Sequence, residues 1–178
     1  MRSLLLALAL ASLVSTVQAQ PQWTVESSSV TFVIRNAGLP VDGSFEDLKA
    51  DLRFEPGNLE GGRFDASIDV STIDTGIGRR DRHLRSDDYF DAETYPRINM
   101  KSTAIRQTDE GAYEGTFDVT IKDVTQSVVM PFTFDADTGI LQGRLELDRT
   151  DYGVGGRSLF LAEGVAVDIM VQVRLAGS

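Results

Sequence analysis

Most of this chain alternates apolar and polar residues with a period of two, the pattern of strands with one face in a core and one in water. Val30, Phe32 and Ile34 share a face. Leu48, Ala50, Leu52 and Phe54 do the same, with Lys49, Asp51, Arg53 and Glu55 between them. Further runs follow at Phe64–Val70, Ile98–Ser102, Tyr113–Ile121, Val128–Phe134, Leu141–Leu147 and Val165–Leu175. With a short strand at Trp23–Val25, eight or nine strands are predicted. Turn chemistry separates them at Pro56-Gly57-Asn58, Gly61-Gly62, Asp109-Glu110-Gly111, Asp137-Thr138-Gly139 and Gly155-Gly156. Connections this short join antiparallel neighbours. The class is therefore all-β, and two architectures satisfy it: a two-sheet sandwich and a closed up-and-down barrel. Strand length favours the barrel.

The inward face is rich in aromatics: Phe32, Phe54, Phe64, Phe117, Phe132 and Phe134. Rings at these positions can simply fill a small barrel, or they can line a tunnel for an apolar ligand. Alternation reports the side a residue faces, so both readings stand at this point.

One block breaks the pattern. Thr75–Thr103 holds Arg79, Arg80, Arg82 and Arg85, the only histidine (His83), and aromatics at Tyr89, Phe90 and Tyr95. Gly78–Arg85 is expected to form about two helical turns, with Asp81 and Arg85 paired at i, i+4. Ser86 is expected to act as an N-cap. Leu84 and Phe90 are the expected apolar anchors. Four arginines face Asp81, Asp87, Asp88 and Asp91, so the block can be a neutral, ion-paired surface. It can equally be a polar gate, because guanidinium forks suit a pyrophosphate or carbonyl head group. His83 can be a hydrogen-bonding structural residue or a head-group contact. Its use as a catalytic base needs an activated serine and an orienting acid, and no serine sits in a G-x-S-x-G elbow. One histidine and no cysteine argue against zinc, and Asp87-Asp88 lacks calcium-loop spacing. Asp65 and Asp69 share a strand face and could form a glycosidase pair, or lie on the solvated outside. Tyr152 in the late turn can pack or present its phenol to a head group. No catalytic residue, metal or cofactor is expected.

The N-terminus has the form of a signal peptide: Arg2, an apolar run Leu4–Val14, and Val17-Gln18-Ala19 before the cleavage site. The apolar run is too short for a permanent span. Cleavage after Ala19 leaves residues 20–178 as one domain. The net charge of −10 opposes binding to phosphate backbones or anionic surfaces by bulk field. Without cysteine the chain has neither disulfides nor a lipoprotein anchor, and a soluble periplasmic product is expected.

R-D-R-H-L-R-S at Arg80–Ser86 is followed by D-Y-F-D, Y-P and a strand ending in S-T. This resembles the signature of the YceI-like family of periplasmic polyisoprenoid-binding proteins. V-D-G-S-F at Val41–Phe45, G-T-F-D-V-T-I-K-D-V-T at Gly115–Thr125 and R-T-D-Y-G-V-G at Arg149–Gly155 resemble further family elements in the same order. Two positions depart: Asn36 stands where many members have histidine, and Met100 where an aromatic is usual. The resemblance implies an extended lipocalin-like antiparallel barrel of about eight strands with one short helical insert. It implies a hollow interior holding a long isoprenoid-type lipid, polyprenyl or quinone-like, bound and carried in the periplasm. The apolar lining would then be Phe32, Ile34, Phe45, Phe54, Ile68, Leu84, Phe90, Met100, Phe117, Phe132 and Phe134. The head group or gate would be Arg79, Arg80, Arg82, His83 and Tyr152. Expected partners are that lipid, no nucleic acid and no membrane segment after cleavage, with a homodimer left open. The other classes are a hydrolase acting on a lipid or saccharide, and an interaction module with a filled core.

Overall fold

The computed structural model describes residues 20–109 and 111–177; the expected signal segment, residues 1–19, lies outside the described residues. Nine strands follow one another: β1 (Gln22–Asn36), β2 (Leu39–Phe45), β3 (Lys49–Glu55), β4 (Asn58–Asp69), β5 (Arg97–Asp109), β6 (Ala112–Ile121), β7 (Val124–Asp135), β8 (Ile140–Asp148) and β9 (Leu161–Leu175). Their pairings are all antiparallel, and β9 pairs with β1 to close the sheet on itself. β3 meets β1 only at Gln22 and Trp23, while β2 takes the same side of β1 from Val30 to Asn36. The two strands therefore share one place in the ring, which is an eight-stranded antiparallel barrel.

The inward residues follow the alternation. Along β6, Tyr113, Gly115, Phe117, Val119 and Ile121 are buried and the residues between them are not. Two irregularities keep the pattern in phase. A register shift between Val25 and Ser27 lets odd-numbered Trp23 and Val25 face the same interior as even-numbered Val30 and Phe32. It is also why two expected strands are one strand here. A second shift, between Ser102 and Ala104, separates inward Met100 from inward Ile105. There the Ser102 hydroxyl accepts the Phe64 N–H at 2.9 Å, in place of a ladder bond.

β2 was not expected as a strand, because Pro40 and Gly43 interrupt its alternation. Its place against β1 explains both. Pro40 lacks an N–H but lies on a strand whose other edge, among the described residues, is bridged only through Ser44 and Asp74. Gly43 sits beneath the Phe32 ring, and a Cβ there would collide with it. Val70, expected at a strand end, starts a 3-10 turn (Val70–Thr72) capped by Asp69, whose carboxylate accepts the Ser71 N–H at 2.8 Å. A second 3-10 turn, Arg149–Tyr152, leads into an eight-residue connection, 153–160, the other long break in the barrel.

The two ends of the barrel differ. One end is packed solid by rings. Phe54 lies edge-on to Phe64, Tyr113 and Phe134 at centroid distances of 5.4, 5.0 and 5.4 Å. Trp23 closes it, with its ring 5.0 Å from Phe134 and its indole N–H donating to the Phe54 carbonyl at 2.7 Å. The other end carries the inserts. No helix among the described residues is long and apolar enough to cross a membrane.

Candidate ligand-binding site

Above the aromatic plug the barrel is hollow. A cavity of about 550 Å³ runs from Phe64, Phe117 and Met130 at its floor to Asn36, Val41 and Phe160 at its rim. Its walls are mostly aliphatic and aromatic side chains from every place in the ring. Small residues create part of the space: Ala50 and Ala66 stand opposite each other on β3 and β4.

Eight of the expected lining residues lie on this wall: Phe32, Ile34, Phe45, Ile68, Leu84, Phe90, Met100 and Phe117. Phe54, Phe132 and Phe134 do not. They point to the same interior but sit in the plug, where Phe54 is 1% exposed and its ring lies edge-on to those of Phe132 and Phe134 at 6.1 and 5.4 Å. Side-chain parity is shared along a strand, but depth along the barrel axis is not, and these three lie at the closed end. Residues absent from the expected lining complete the wall, among them Val30, Leu145, Val154, Val167 and Ile169. All but Val154 were visible as inward positions; aromatic character alone drew attention away from them.

The lid over the mouth is the insert. α1 (Gly78–Leu84) is two turns long, as expected. Its seat is apolar: Phe90 lies edge-on to Phe45 at 6.0 Å, and Phe45 lies 5.5 Å from Phe32. The expected Asp81–Arg85 ion pair is not formed. Asp81 is buried and its carboxylate accepts from both the N–H (3.0 Å) and the hydroxyl of Thr75. Arg80 grips the same threonine, donating to its hydroxyl and its carbonyl at 2.7 Å each. Arg85 donates instead to the Ile73 carbonyl at 3.2 Å. Thr75, just before the left-handed Gly76, thus supplies both donors to the Asp81 carboxylate, and Arg85 is engaged elsewhere. Ser86 is not an N-cap either; its hydroxyl donates to the His83 carbonyl at 2.7 Å and closes the end of α1.

The five expected gate residues separate into two groups. Arg80, His83 and Tyr152 are on the cavity wall. Arg79 and Arg82 are on the exposed face of α1, off the wall, and form no ion pair among the described residues. The expected ion-paired arginine surface is therefore absent as well. His83 lies edge-on to Tyr89 at 4.9 Å rather than between a carboxylate and a serine. Asp65 and Asp69 lie on the outer face of β4, opposite in parity to cavity residues Phe64 and Ile68. Among the described residues no group of three His, Cys, Asp or Glu side chains is placed to hold a metal ion.

Arg149 is a structural keystone that the motif contained but whose role was not legible. It is buried, and its guanidinium donates to the carbonyls of Ala162 (2.9 Å), Val154 (2.8 Å), Gly156 (3.0 Å) and Leu161 (3.3 Å). One cation thereby folds the 153–160 connection over the mouth, with its charge compensated by carbonyl dipoles. Tyr152 beside it is 2% exposed, and its hydroxyl has no hydrogen-bond partner among the described residues. Burial, and secondarily the charge of Asp151, raises its pKa above the ordinary tyrosine value, so the phenol stays protonated.

Comparison with known proteins agrees with this architecture. A crystal structure of BcnA from Burkholderia cenocepacia superposes with a TM-score of 0.77 at 27% identity, covering 83% of this chain and 96% of that one. A polyisoprenoid binding domain from Saccharophagus degradans has the same fold, with a TM-score of 0.65 at 13% identity over 89% and 99% of the two chains. Among curated sequences, a UPF0312 protein of Pseudomonas savastanoi pv. phaseolicola is 27% identical over 71% of each chain. Another, from Photorhabdus laumondii, is 34% identical over 49% of this chain, a match that spans 45% of the relative's own length. The model of the YceI-like domain matches residues 22–176, and the chain belongs to that family.

Proposed function

We propose that this protein binds and carries a long apolar lipid of the isoprenoid class in the periplasm, with the chain held inside the barrel. The observation that carries the reading is the apolar cavity of about 550 Å³, closed by rings at one end and covered by the insert at the other. The polyisoprenoid-binding description of the Saccharophagus degradans neighbour supports the ligand class. The signal-peptide pattern of residues 1–19 supports the compartment.

The volume suits a prenyl chain. At about 30 Å³ per carbon-sized group, the volume of a liquid water molecule, it holds roughly eighteen such groups, or three to four isoprene units. Their burial is worth roughly 14 kcal/mol at about 0.8 kcal/mol per group, against association costs of about 4–15 kcal/mol. The balance leaves useful affinity without preventing release. Release then requires α1 and the 153–160 connection to part at the mouth.

Native mass spectrometry of protein purified from its own host tests the reading. A co-purifying hydrophobic mass that an unfolding step releases is the expected result. Ligand-free protein that also fails to take up any of a panel of prenyl lipids would overturn it.

A further inference from the structure

We infer that the open end of the barrel is a docking surface for an anionic phospholipid bilayer, so that the mouth of the cavity opens against lipid. Docking is separate from what the barrel carries: it is tested with vesicles that hold no prenyl lipid, and either reading can fail alone.

Three observations converge. The first is where apolar side chains stand in water. The β1–β2, β4–β5, β6–β7 and β8–β9 connections all lie at the open end, because strand direction alternates around the ring. Four large apolar residues are exposed at or beside these connections: Leu39 (70%), Ile77 (53%), Leu159 (98%) and Phe160 (68%). The remaining ones among the described residues, Val129, Met170 and Leu175, are spread over β7 and β9. Leu39 pairs with Asn36 and Asn36 with Leu161, and the Ala37 N–H donates to the Phe160 carbonyl at 2.7 Å. The β1–β2 hairpin and the 153–160 connection are thus one surface. Opposed residues share a sheet face, so Leu39 is on the cavity side with Asn36, and Phe160 is on the cavity rim itself. The patch continues the cavity lining out into solvent, and an apolar patch of this kind marks an interaction site. The second observation is charge. The chain has 27 acidic residues and a net charge of −10, yet segments 35–41, 75–80 and 153–162 contain no carboxylate. Carboxylates flank them at Asp42, Asp74, Asp151 and Glu163, but within them only arginines are charged. On the barrel strands Arg53, Arg63, Arg106, Arg144 and Arg174 each face a carboxylate. At the mouth Arg79, Arg82 and Arg157 are exposed and form no ion pair among the described residues. Screening over about 8 Å at physiological ionic strength lets this local patch, and not the net charge of the far wall, decide what approaches. The third is shape. The apolar tips are separate and glycine-flanked, at Gly38-Leu39, Gly76-Ile77-Gly78 and Gly156-Arg157-Ser158-Leu159-Phe160. Leu159, almost wholly exposed, has no wall of its own chain beside it with which to form a pocket for a rigid partner. A fluid bilayer accepts such tips one by one, with leucine and phenylalanine entering the acyl boundary and guanidinium forks meeting phosphates.

The experiment measures co-sedimentation of protein purified from its own host with vesicles of phosphatidylcholine alone and of phosphatidylcholine with phosphatidylglycerol. The parent is expected to bind the anionic vesicles about tenfold more tightly, and added salt should narrow the difference. Leu39→Ser with Leu159→Ser should weaken binding to both vesicles by about ten- to a hundredfold, while Val129→Ser on the barrel wall should change it less than about twofold. Arg79→Gln, Arg82→Gln and Arg157→Gln together should remove the preference for phosphatidylglycerol and leave binding to phosphatidylcholine in place. Fluorescence gives the orientation. Trp23 is the only tryptophan and lies at the closed end, so bromine-labelled acyl chains should leave the parent's emission alone and quench the emission added by Leu159→Trp. A parent that binds neither vesicle, equal losses in Val129→Ser and the rim variant, a lipid preference that survives loss of the three arginines, or quenching of Trp23 would each overturn the inference. A parent that ignores vesicles but forms a dimer that Leu39→Ser with Leu159→Ser dissociates would give this face to a second copy instead.

Discussion

Filling the cavity from its wall should shorten the chain it accepts. Ala66 on β4 is the suitable position: it lines the cavity and stands in register with Ala50 on one side and Met100 on the other. Ala66→Phe replaces a methyl hydrogen by a phenyl ring of six carbons. At about 30 Å³ per carbon-sized group this removes roughly 180 Å³, about a third of the space. Six ligand carbons would be displaced, and at about 0.8 kcal/mol each their burial is worth roughly 5 kcal/mol. Sliding the chain toward the mouth recovers part of that, so a loss of about 2.5–4 kcal/mol is expected for a geranylgeranyl chain, or about 100- to 1000-fold in Kd. A geranyl chain, short enough for the remaining space, should bind as it does to the parent. Titration calorimetry across a series of prenyl alcohols measures both, and thermal unfolding without ligand should show no loss, since the ring enters a void. Unchanged affinity for the long chain would show that ligand does not occupy this cavity. Equal losses for long and short chains would show general disruption and refute the volume argument.

Phe117 and Asp118 are neighbours on opposite faces of β6, the first 1% exposed and the second half-buried. Phe117→Asp should abolish folding or ligand uptake, because an unpaired buried charge costs several kcal/mol, while Asp118→Ala should stay within about 0.5 kcal/mol by denaturant titration. Arg149→Lys retains the charge but cannot serve four carbonyls. A loss of about 2–4 kcal/mol is expected, together with faster amide exchange across residues 153–161 by mass spectrometry. Acid should destabilise the fold through its turn caps. The Thr150 side chain holds the Asp148 carboxyl below the ordinary aspartate value, and the Ser71 side chain does the same for Asp69. A carboxyl whose folded pKa lies below its unfolded value stabilises the fold above that unfolded value, and the contribution is lost as pH falls through the folded one. Tm should therefore be level above about pH 5 and drop below about pH 4, less steeply in Asp148→Asn; a Tm that rises on acidification would contradict this.

The polarity pattern by itself determined the strands, their antiparallel order and the side each residue faces, because a side-chain period of two is a property of extended backbone alone. It also marked the insert, since arginines and a histidine in a row cannot continue such a strand. β2 escaped because Pro40 and Gly43 read as loop; only β1, laid beside them with the Phe32 ring over Gly43, makes them strand residues. Asp81 and Arg85 have the spacing of a helical pair, yet Thr75 wins the carboxylate, because the Gly76 turn sets two donors against it and neither is visible as a helical neighbour. Depth was decided by tertiary structure as well. Phe117 and Phe132 read alike in the chain, but one floors a cavity and the other is packed in the plug. Parity says which side a ring faces; whether it meets a void depends on what the other strands deliver at the same height of the barrel. Alanines 50 and 66 leave space at one level, and Trp23, Phe54 and Phe134 fill it at another.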